Sequence, residues 1–344
     1  MDPLTQIRLT REFVDIESTT RHEGEAGVWL AALLRRLGYT VAEQPVSEGR
    51  FNVFATCGAA PEVVLSTHFD CVPPFFPSRE EGGLLYGRGA CDAKGIAMAQ
   101  IAAVERLRHS GETRVGLLFV VGEERGSDGA KTANALAPGS KYLINGEPTD
   151  NRLASATRGL YRARLRAHGL AAHSSHPDKG VSAIEKLVDA IVALRGVTWP
   201  SDPILGKTHY TVGMISGGVA PNVVPAEASA ELLFRTVGDH RVIGEMVAKA
   251  VRPHAESEEV FVVPLVPLTT VPGIETAVFN FTTDIPFLSN WGRPLLIGPG
   301  AIQVAHAADE YVAMAELHRA VDLYVDLASR LLALDPTGLA SRSG

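Results

Sequence analysis

The sequence predicts an α/β fold: a mostly parallel sheet flanked by helices, with a ferredoxin-like α+β domain inserted into it. Three observations carry this. Short apolar runs at Val63 to Thr67, Val115 to Val121 and Tyr142 to Ile144 lack polar alternation, as strands buried on both faces do. Helical patterns separate these runs, which is the order of βαβ units. From Thr157 to about Pro267 the pattern changes to half-wet strands in the order β-α-β-β-α-β, the ferredoxin-like plan. The expected domains are residues 1–156 with 268–344, and residues 157–267 as the insertion.

In chain order, Leu4 to Leu37 reads as helical. Trp29, Leu30, Leu33 and Leu34 share one face, and Gly38 stands as the stop. Strands are expected around Asn52 to Ala55 and at Val63 to Thr67. Ile96 to Arg108 is an amphipathic helix, Val115 to Val121 a buried strand, Gly129 to Leu136 a helix and Tyr142 to Ile144 a strand. In the insertion, Leu160 to Ala167 alternates polar and apolar residues. A helix (Val181 to Arg195), two strands (His209 to Ile215, Ala228 to Thr236), a helix (Asp239 to Val251) and a strand (Val260 to Leu265) follow. The first pattern resumes with a strand at Pro294 to Ile297. A closing helix from Leu317 to Leu334 puts Leu317, Ala320, Val321, Tyr324 and Leu327 on one face. The tail Asp335 to Gly344 is expected to fray.

Composition narrows the function classes. A net charge of −7 without a long basic run argues against nucleic-acid binding. No apolar stretch approaches the roughly 18 residues of a membrane span. Met1-Asp2-Pro3-Leu4-Thr5 has neither the basic nor the apolar region of a signal peptide. Cys57, Cys71 and Cys91 are odd in number and lack CxxC spacing, as expected of reduced thiols in a cytoplasm.

Acidic and imidazole side chains gather just after the apolar runs. His68 and Asp70 follow the first, Glu123 and Glu124 the second, and Glu147 the third. His306 follows Leu295 to Ile297, and Asp92 opens a helix. In an open α/β sheet, sites form outside the carboxyl ends of strands. Five carboxylates in one cleft raise each other's pKa, and a divalent cation reverses that cost. Two His and four carboxylates suit two metals sharing a carboxylate, and Asp92, central in chain order, is the best bridge. Such ligands suit Zn, and also Co or Mn. If strand geometry persists, Glu123 and Glu124 point in opposite directions. Glu124 is then a ligand and Glu123 the general base that moves a proton from water to a leaving amine.

These motifs resemble the two-metal aminoacylase–carboxypeptidase family, which includes acetylornithine deacetylase, succinyl-diaminopimelate desuccinylase and carboxypeptidase G. His68-Phe69-Asp70-Cys71-Val72-Pro73-Pro74 is similar to its first metal motif, and Gly87 to Gly95 to its bridging-Asp motif. Gly122-Glu123-Glu124, Glu147 and Ala305 to Glu310 are similar to the remaining three. The resemblance implies five metal ligands: His68, Asp92, Glu124, Glu147 and His306. Asp70 would orient His68, a usual role beside a metal-bound imidazole. The peptide Asp92-Ala93 would be cis. The insertion would be a lid and the interface of a homodimer. His173, in Gly169 to Ser175, would stabilise the oxyanion in the partner's active site. Arg235 and Asn222 would hold the substrate carboxylate, and Thr282 would contact substrate. Phe69 and Gly122 depart from the family, where a small hydroxyl residue and an Asp are frequent.

The implied activity is removal of an acetyl- or succinyl-type acyl group from an N-acyl amino acid of the acetylornithine, acyl-lysine or acyl-diaminopimelate class. A metallo-carboxypeptidase or dipeptidase is the alternative, and a non-catalytic binding protein on this fold is a more distant one.

Overall fold

The uninterrupted apolar runs become the middle of a six-stranded sheet. The computed structural model describes residues 1–203 and 205–334, so the tail lies outside it. Val63–His68 and Val115–Val120 lie side by side in parallel register, and every residue of both is buried. Tyr142–Asn145 pairs in parallel with the other side of Val63–His68, and Arg293–Leu296 pairs in parallel with Tyr142–Asn145. Beyond Val115–Val120 the direction alternates. Arg50–Thr56 is antiparallel to it, and Thr40–Ser47 is antiparallel to Arg50–Thr56 at the edge. The sheet is therefore mixed. Thr40–Ser47 has no counterpart among the expected strands: Glu43, Gln44 and Pro45 interrupt its period, and most of it is exposed.

Helix Lys94–His109 is buried from Lys94 to Glu105, and packs against the sheet and helices Pro3–Val14 and Met314–Ala333. Ile96, Ile101, Val104, Leu117, Ile144, Tyr324 and Leu327 meet in one apolar core beneath it.

The expected single helical stretch from Leu4 to Leu37 is two helices, Pro3–Val14 and Gly24–Arg36. The break is a strap across the end of the first buried strand. Cys71 N donates to Ser18 O at 3.0 Å, Thr20 N to Cys71 O at 3.1 Å, and Ser18 Oγ to Phe69 O at 2.6 Å. Those bonds need extended backbone, so the helix cannot continue through Ser18 to Thr20.

Contacts divide the chain into two units. One comprises Met1–Ser155, Pro267–Ala277 and the chain from Thr283; the other comprises Ala156–Val266 and Val278–Thr282. The second unit holds a four-stranded antiparallel sheet in the order His209–Gly217, Glu227–Thr236, Gly159–His168, Glu256–Val263. Tyr161, Ala163, Leu165 and Ala167 point into its core, under helices Ala183–Arg195 and His240–Val251. Arg162, Arg164 and Arg166 alternate onto the wet face, where they pair with Glu231 and Glu258. Ser182 caps the first helix through a bond from Glu185 N. Among the described residues no helix is long and apolar enough to cross a membrane.

Candidate metal centre

The parallel central strands end on one edge of the sheet and deliver their following residues there. His68 is the last residue of its strand, Glu147 follows Tyr142–Asn145, and Gly122 to Glu124 follow Val115–Val120. Asp92 stands just before helix Lys94–His109, and the Asp92–Ala93 peptide is cis.

Two triads form there. His68 Nε2 lies 3.0 Å from Asp92 Oδ1 and 3.9 Å from Glu147 Oε2. His306 Nε2 lies 2.8 Å from Glu124 Oε1 and 3.3 Å from Asp92 Oδ2. Within each triad, donor atoms of all three residues lie within 4.8 Å of one another. Asp92 belongs to both and turns one oxygen toward each.

The chemistry of these atoms fits divalent cations. Glu147 Oε1 is buried without a hydrogen-bond partner, a costly state for a carboxylate oxygen that a cation relieves. His68 Nδ1 lies 3.0 Å from the main-chain carbonyl of Asp70. That bond keeps a proton on Nδ1, so Nε2, which shares its own proton with Asp92 Oδ1 at 3.0 Å, is the nitrogen a cation would take in place of that proton.

The electrostatics agree. Burial, reinforced by Asp92, pushes the Glu147 carboxyl well above its ordinary range. Burial also raises Glu124, although His306 opposes it. Burial acts to lower His68, but Asp70 and Asp92 outweigh it and hold the imidazole well above 6.5.

The Glu123–Glu124 pair corrects one expectation. The strand ends at Val120, Gly122 adopts a left-handed φ of +78°, and Glu123–Arg125 form a single 3₁₀ turn. Strand alternation therefore does not separate the two side chains. Asp70 gathers the turn instead: its Oδ1 accepts Glu123 N at 3.0 Å, and its Oδ2 accepts Glu124 N at 3.2 Å and Thr20 Oγ1 at 2.9 Å. The same carboxylate is 3.5 Å from His68 Nδ1, farther than the Asp70 carbonyl. Glu124 then reaches His306, while burial and the charge of Glu147 push the Glu123 carboxyl well above its ordinary range.

Gly122 has a local reason. A Cβ there would stand 1.8 Å from Asp128 Oδ1, besides the unfavourable φ. Asp128 is held by Arg50, which also grips buried Glu23 with two bonds of 2.7 and 2.9 Å.

The family described as Peptidase family M20/M25/M40 matches residues 64–330. The chain belongs to the M20 peptidase family. It is 38% identical to a peptidase M20 domain-containing protein of Schizosaccharomyces pombe, over 92% of this chain and 82% of that one. It is 36% identical to a probable carboxypeptidase of Aspergillus fumigatus, over 94% of this chain and 86% of that one. Its fold is similar to that of the aminopeptidase PepT of Bacillus cereus, with a TM-score of 0.80 and 19% identity, covering 96% of this chain and 99% of that one. This M20 protein is accordingly a hydrolase of peptide or amide bonds.

The remaining candidates of this M20 chain lie in its second unit. His173 is exposed, with Nδ1 2.8 Å from Ser175 Oγ. Asn222 is exposed, and its carbonyl accepts Ser174 N at 3.0 Å. Arg235 is partly buried, and its Nη1 has no hydrogen-bond partner among the described residues. Thr282 is partly buried at the end of that unit.

Sequence reasoning missed Thr20 and Arg50 of the first unit, and gave no role of their own to Asp284 and Glu310, which stand inside motifs it singled out. Asp284 is 1% exposed, neither carboxylate oxygen has a hydrogen-bond partner, and burial pushes its pKa up to about 7. It closes the stretch Thr282-Thr283-Asp284, whose resemblance to a substrate-contacting loop pointed to Thr282.

Proposed function

We propose that this M20 enzyme hydrolyses an amide bond whose amine side is an amino acid with a free α-carboxylate. Its substrate is an N-acyl amino acid of the acetylornithine, acyl-lysine or acyl-diaminopimelate class, which loses an acetyl- or succinyl-type group. The observation that carries this is the pair of triads sharing Asp92 beside the Glu123 turn. Each triad supplies nitrogen and oxygen donors, for which Zn is the first candidate and Co or Mn the next.

Divalent ions held by His68, Asp92 and Glu147, and by Asp92, Glu124 and His306, would polarise the scissile carbonyl and acidify water. Glu123 takes the proton of the attacking water on its carboxylate and delivers it to the leaving amine nitrogen. Its burial favours the protonated form, which suits the delivery half of that cycle. Asp70 holds the Glu123 and Glu124 amides so that the two carboxylates keep separate tasks. His173 donates to the oxyanion of the tetrahedral intermediate. Arg235 grips the α-carboxylate: its unsatisfied Nη1 marks a donor waiting for an acceptor, and its planar fork matches a carboxylate. Asn222 and Thr282 add contacts to the same end of the substrate.

The name of the Aspergillus fumigatus relative favours a second reading, a carboxypeptidase or dipeptidase. A C-terminal peptide bond presents the same amide and free carboxylate, so the two readings differ only on the acyl side. Turnover of acetylornithine, N-acetyl-lysine, succinyl-diaminopimelate and a dipeptide panel by metal-loaded protein separates them. Hydrolysis of dipeptides alone would overturn the deacylase reading.

We further propose that the second unit carries a homodimer interface. His209–Gly217 is an edge strand on which Met214 and Ile215 are 66% and 59% exposed. Ile184, Val188 and Val192 repeat every four residues along helix Ala183–Arg195 and are exposed as well. An uncovered apolar strip beside an unpaired strand edge is what a second copy would bury. Val188→Glu with Val192→Glu should convert a dimer to a monomer in sedimentation; a wild-type monomer refutes the interface.

A further inference from the structure

Glu310 is fully buried, although His306, four residues before it, is exposed. Its Oε1 accepts three main-chain N–H groups, Gly89 at 3.1 Å, Cys91 at 3.0 Å and Asp92 at 3.0 Å. Its Oε2 accepts Arg88 Nη1 at 2.6 Å, and its main-chain carbonyl accepts Gly87 N at 3.0 Å. Between Gly87 and Asp92 only Ala90 makes none of these bonds with Glu310.

The backbone explains how such distant residues meet. Tyr311–Ala313, directly after Glu310, pairs antiparallel with Leu84–Tyr86, directly before Gly87. Two loops leave the end of that ribbon side by side. One carries Asp92 and the other carries His306. Past the ribbon, the Glu310 carboxylate ties them together in a nest of amides, an arrangement that an apolar side chain could not satisfy. His68 and Glu147 come from the parallel strands and do not depend on this tie.

We infer that Glu310 is a positioning residue for the Asp92–Glu124–His306 triad. It keeps the His306 segment in register on the Asp92 loop, where His306 Nε2 stands 3.3 Å from Asp92 Oδ2. It therefore sets the metal affinity of that triad far more than that of the His68–Asp92–Glu147 triad. This rests on the reading of both triads as metal sites.

The test is metal titration of the stripped full-length chain, with Zn followed by calorimetry and Co(II) by visible absorption. Wild type should bind two ions. His306→Ala and Glu147→Ala assign the two steps, each variant losing one. Glu310→Gln keeps the size and one acceptor oxygen but sets an amide against Arg88. It should weaken the His306 step by about 10–100-fold and the other by less than about threefold. Two unchanged steps, or two steps weakened equally, overturn the inference while leaving the two-metal reading intact. Wild type that binds no metal overturns the two-metal reading and this inference with it, whereas His306→Ala that still binds two ions with wild-type affinity removes His306 from the ligand set and overturns this inference alone. If Glu310→Gln does not fold, hydrogen exchange in stripped wild type decides. Slow exchange at Gly89, Cys91 and Asp92 is expected, and exchange at the rate of an open loop overturns the tie.

Discussion

Asp70→Asn separates two jobs that one carboxylate could have in the metal centre. In the structure the Asp70 side chain accepts Glu123 N, Glu124 N and Thr20 Oγ1, whereas His68 Nδ1 meets the Asp70 main-chain carbonyl at 3.0 Å. Asn retains one acceptor oxygen and presents an NH₂ to a main-chain donor. One or two bonds to a charged acceptor are lost, at about 1.5–3 kcal/mol each. For a unit of this size 1 kcal/mol moves Tm by roughly 2–4 °C, so a loss of about 1.5–6 kcal/mol in all should lower the melting point of stripped protein by roughly 3–24 °C. The Glu123 carboxylate loses its fixed place, and kcat should fall about 10–100-fold with KM nearly constant. The His68 bond survives, because any residue at 70 offers a carbonyl there. Metal affinity of the His68 triad should then change by less than about threefold. Calorimetric titration and steady-state kinetics on the same preparations check both halves. Loss of metal from the His68 triad, with kcat per loaded site unchanged, would show that the carboxylate serves His68 and refute this assignment.

Four further outcomes follow from the geometry. Glu123→Gln should lower kcat by about 10²–10⁴-fold with metal content unchanged by elemental analysis; unaltered turnover removes Glu123 from the proton path. Arg50→Met leaves buried Glu23 unpaired and should cost about 3–5 kcal/mol in denaturant unfolding, most of it recovered in Glu23→Gln/Arg50→Met. Arg235→Met should raise KM about 10–100-fold for substrates with a free α-carboxylate and leave their carboxamides unaffected, since a carboxamide offers no charge to grip. In stripped protein, bonds to Asp92 and Glu124 raise His306 from 6.5 to about 10, against burial. Protonated His306 therefore stabilises that form fully below about pH 6.5, and the contribution is lost as pH climbs toward 10. Metal uptake at the same triad must displace this proton, so affinity should rise across that window with about one proton released at pH 8; calorimetry in buffers of different ionisation heat reads it, and no release contradicts the shift.

The buried central strands and the residues of the two candidate metal triads are legible in the chain because both are local signals. Val63 to Thr67 and Val115 to Val121 are apolar without alternation, and His68, Glu124 and Glu147 stand within a few residues of such runs. What sequence periodicity hides are features made by distant partners. Ser18 to Thr20 look helical beside Phe13 and Trp29, until Cys71, some fifty residues on, supplies a strand edge to pair with. Glu123 and Glu124 look like strand residues until Gly122 turns left-handed and Asp70 collects their amides. Thr40–Ser47 is visible as a strand only through its pairing with Arg50–Thr56.

Acidic residues near the metal motifs carry the same ambiguity, and their donors resolve it. Asp92, Glu124 and Glu147 face imidazole nitrogens and one another, and Glu147 keeps an oxygen with no partner. Such carboxylates need a cation to be tolerable when buried. Asp70 and Glu310 face main-chain N–H groups: two for Asp70, three for Glu310 with Arg88 beside them. These are neutralised by the fold itself and need no ion. Both kinds occur within a few residues of each other, at Asp70 beside His68 and at Glu310 beside His306, so spacing along the chain cannot sort them. The loops that bear ligands are short and irregular and leave amides without helix or strand partners, which must be satisfied by something. A carboxylate from another loop does so, and in doing so fixes where the ligand carboxylates stand. The acids that hold the loops are thus as necessary to the site as the acids that would hold the metals, and a swap between the two roles at any one position should fail: the oxygens of Asp70 and Glu310 are taken up by main-chain N–H groups, Thr20 and Arg88, whereas Glu147 keeps a buried oxygen to which nothing donates.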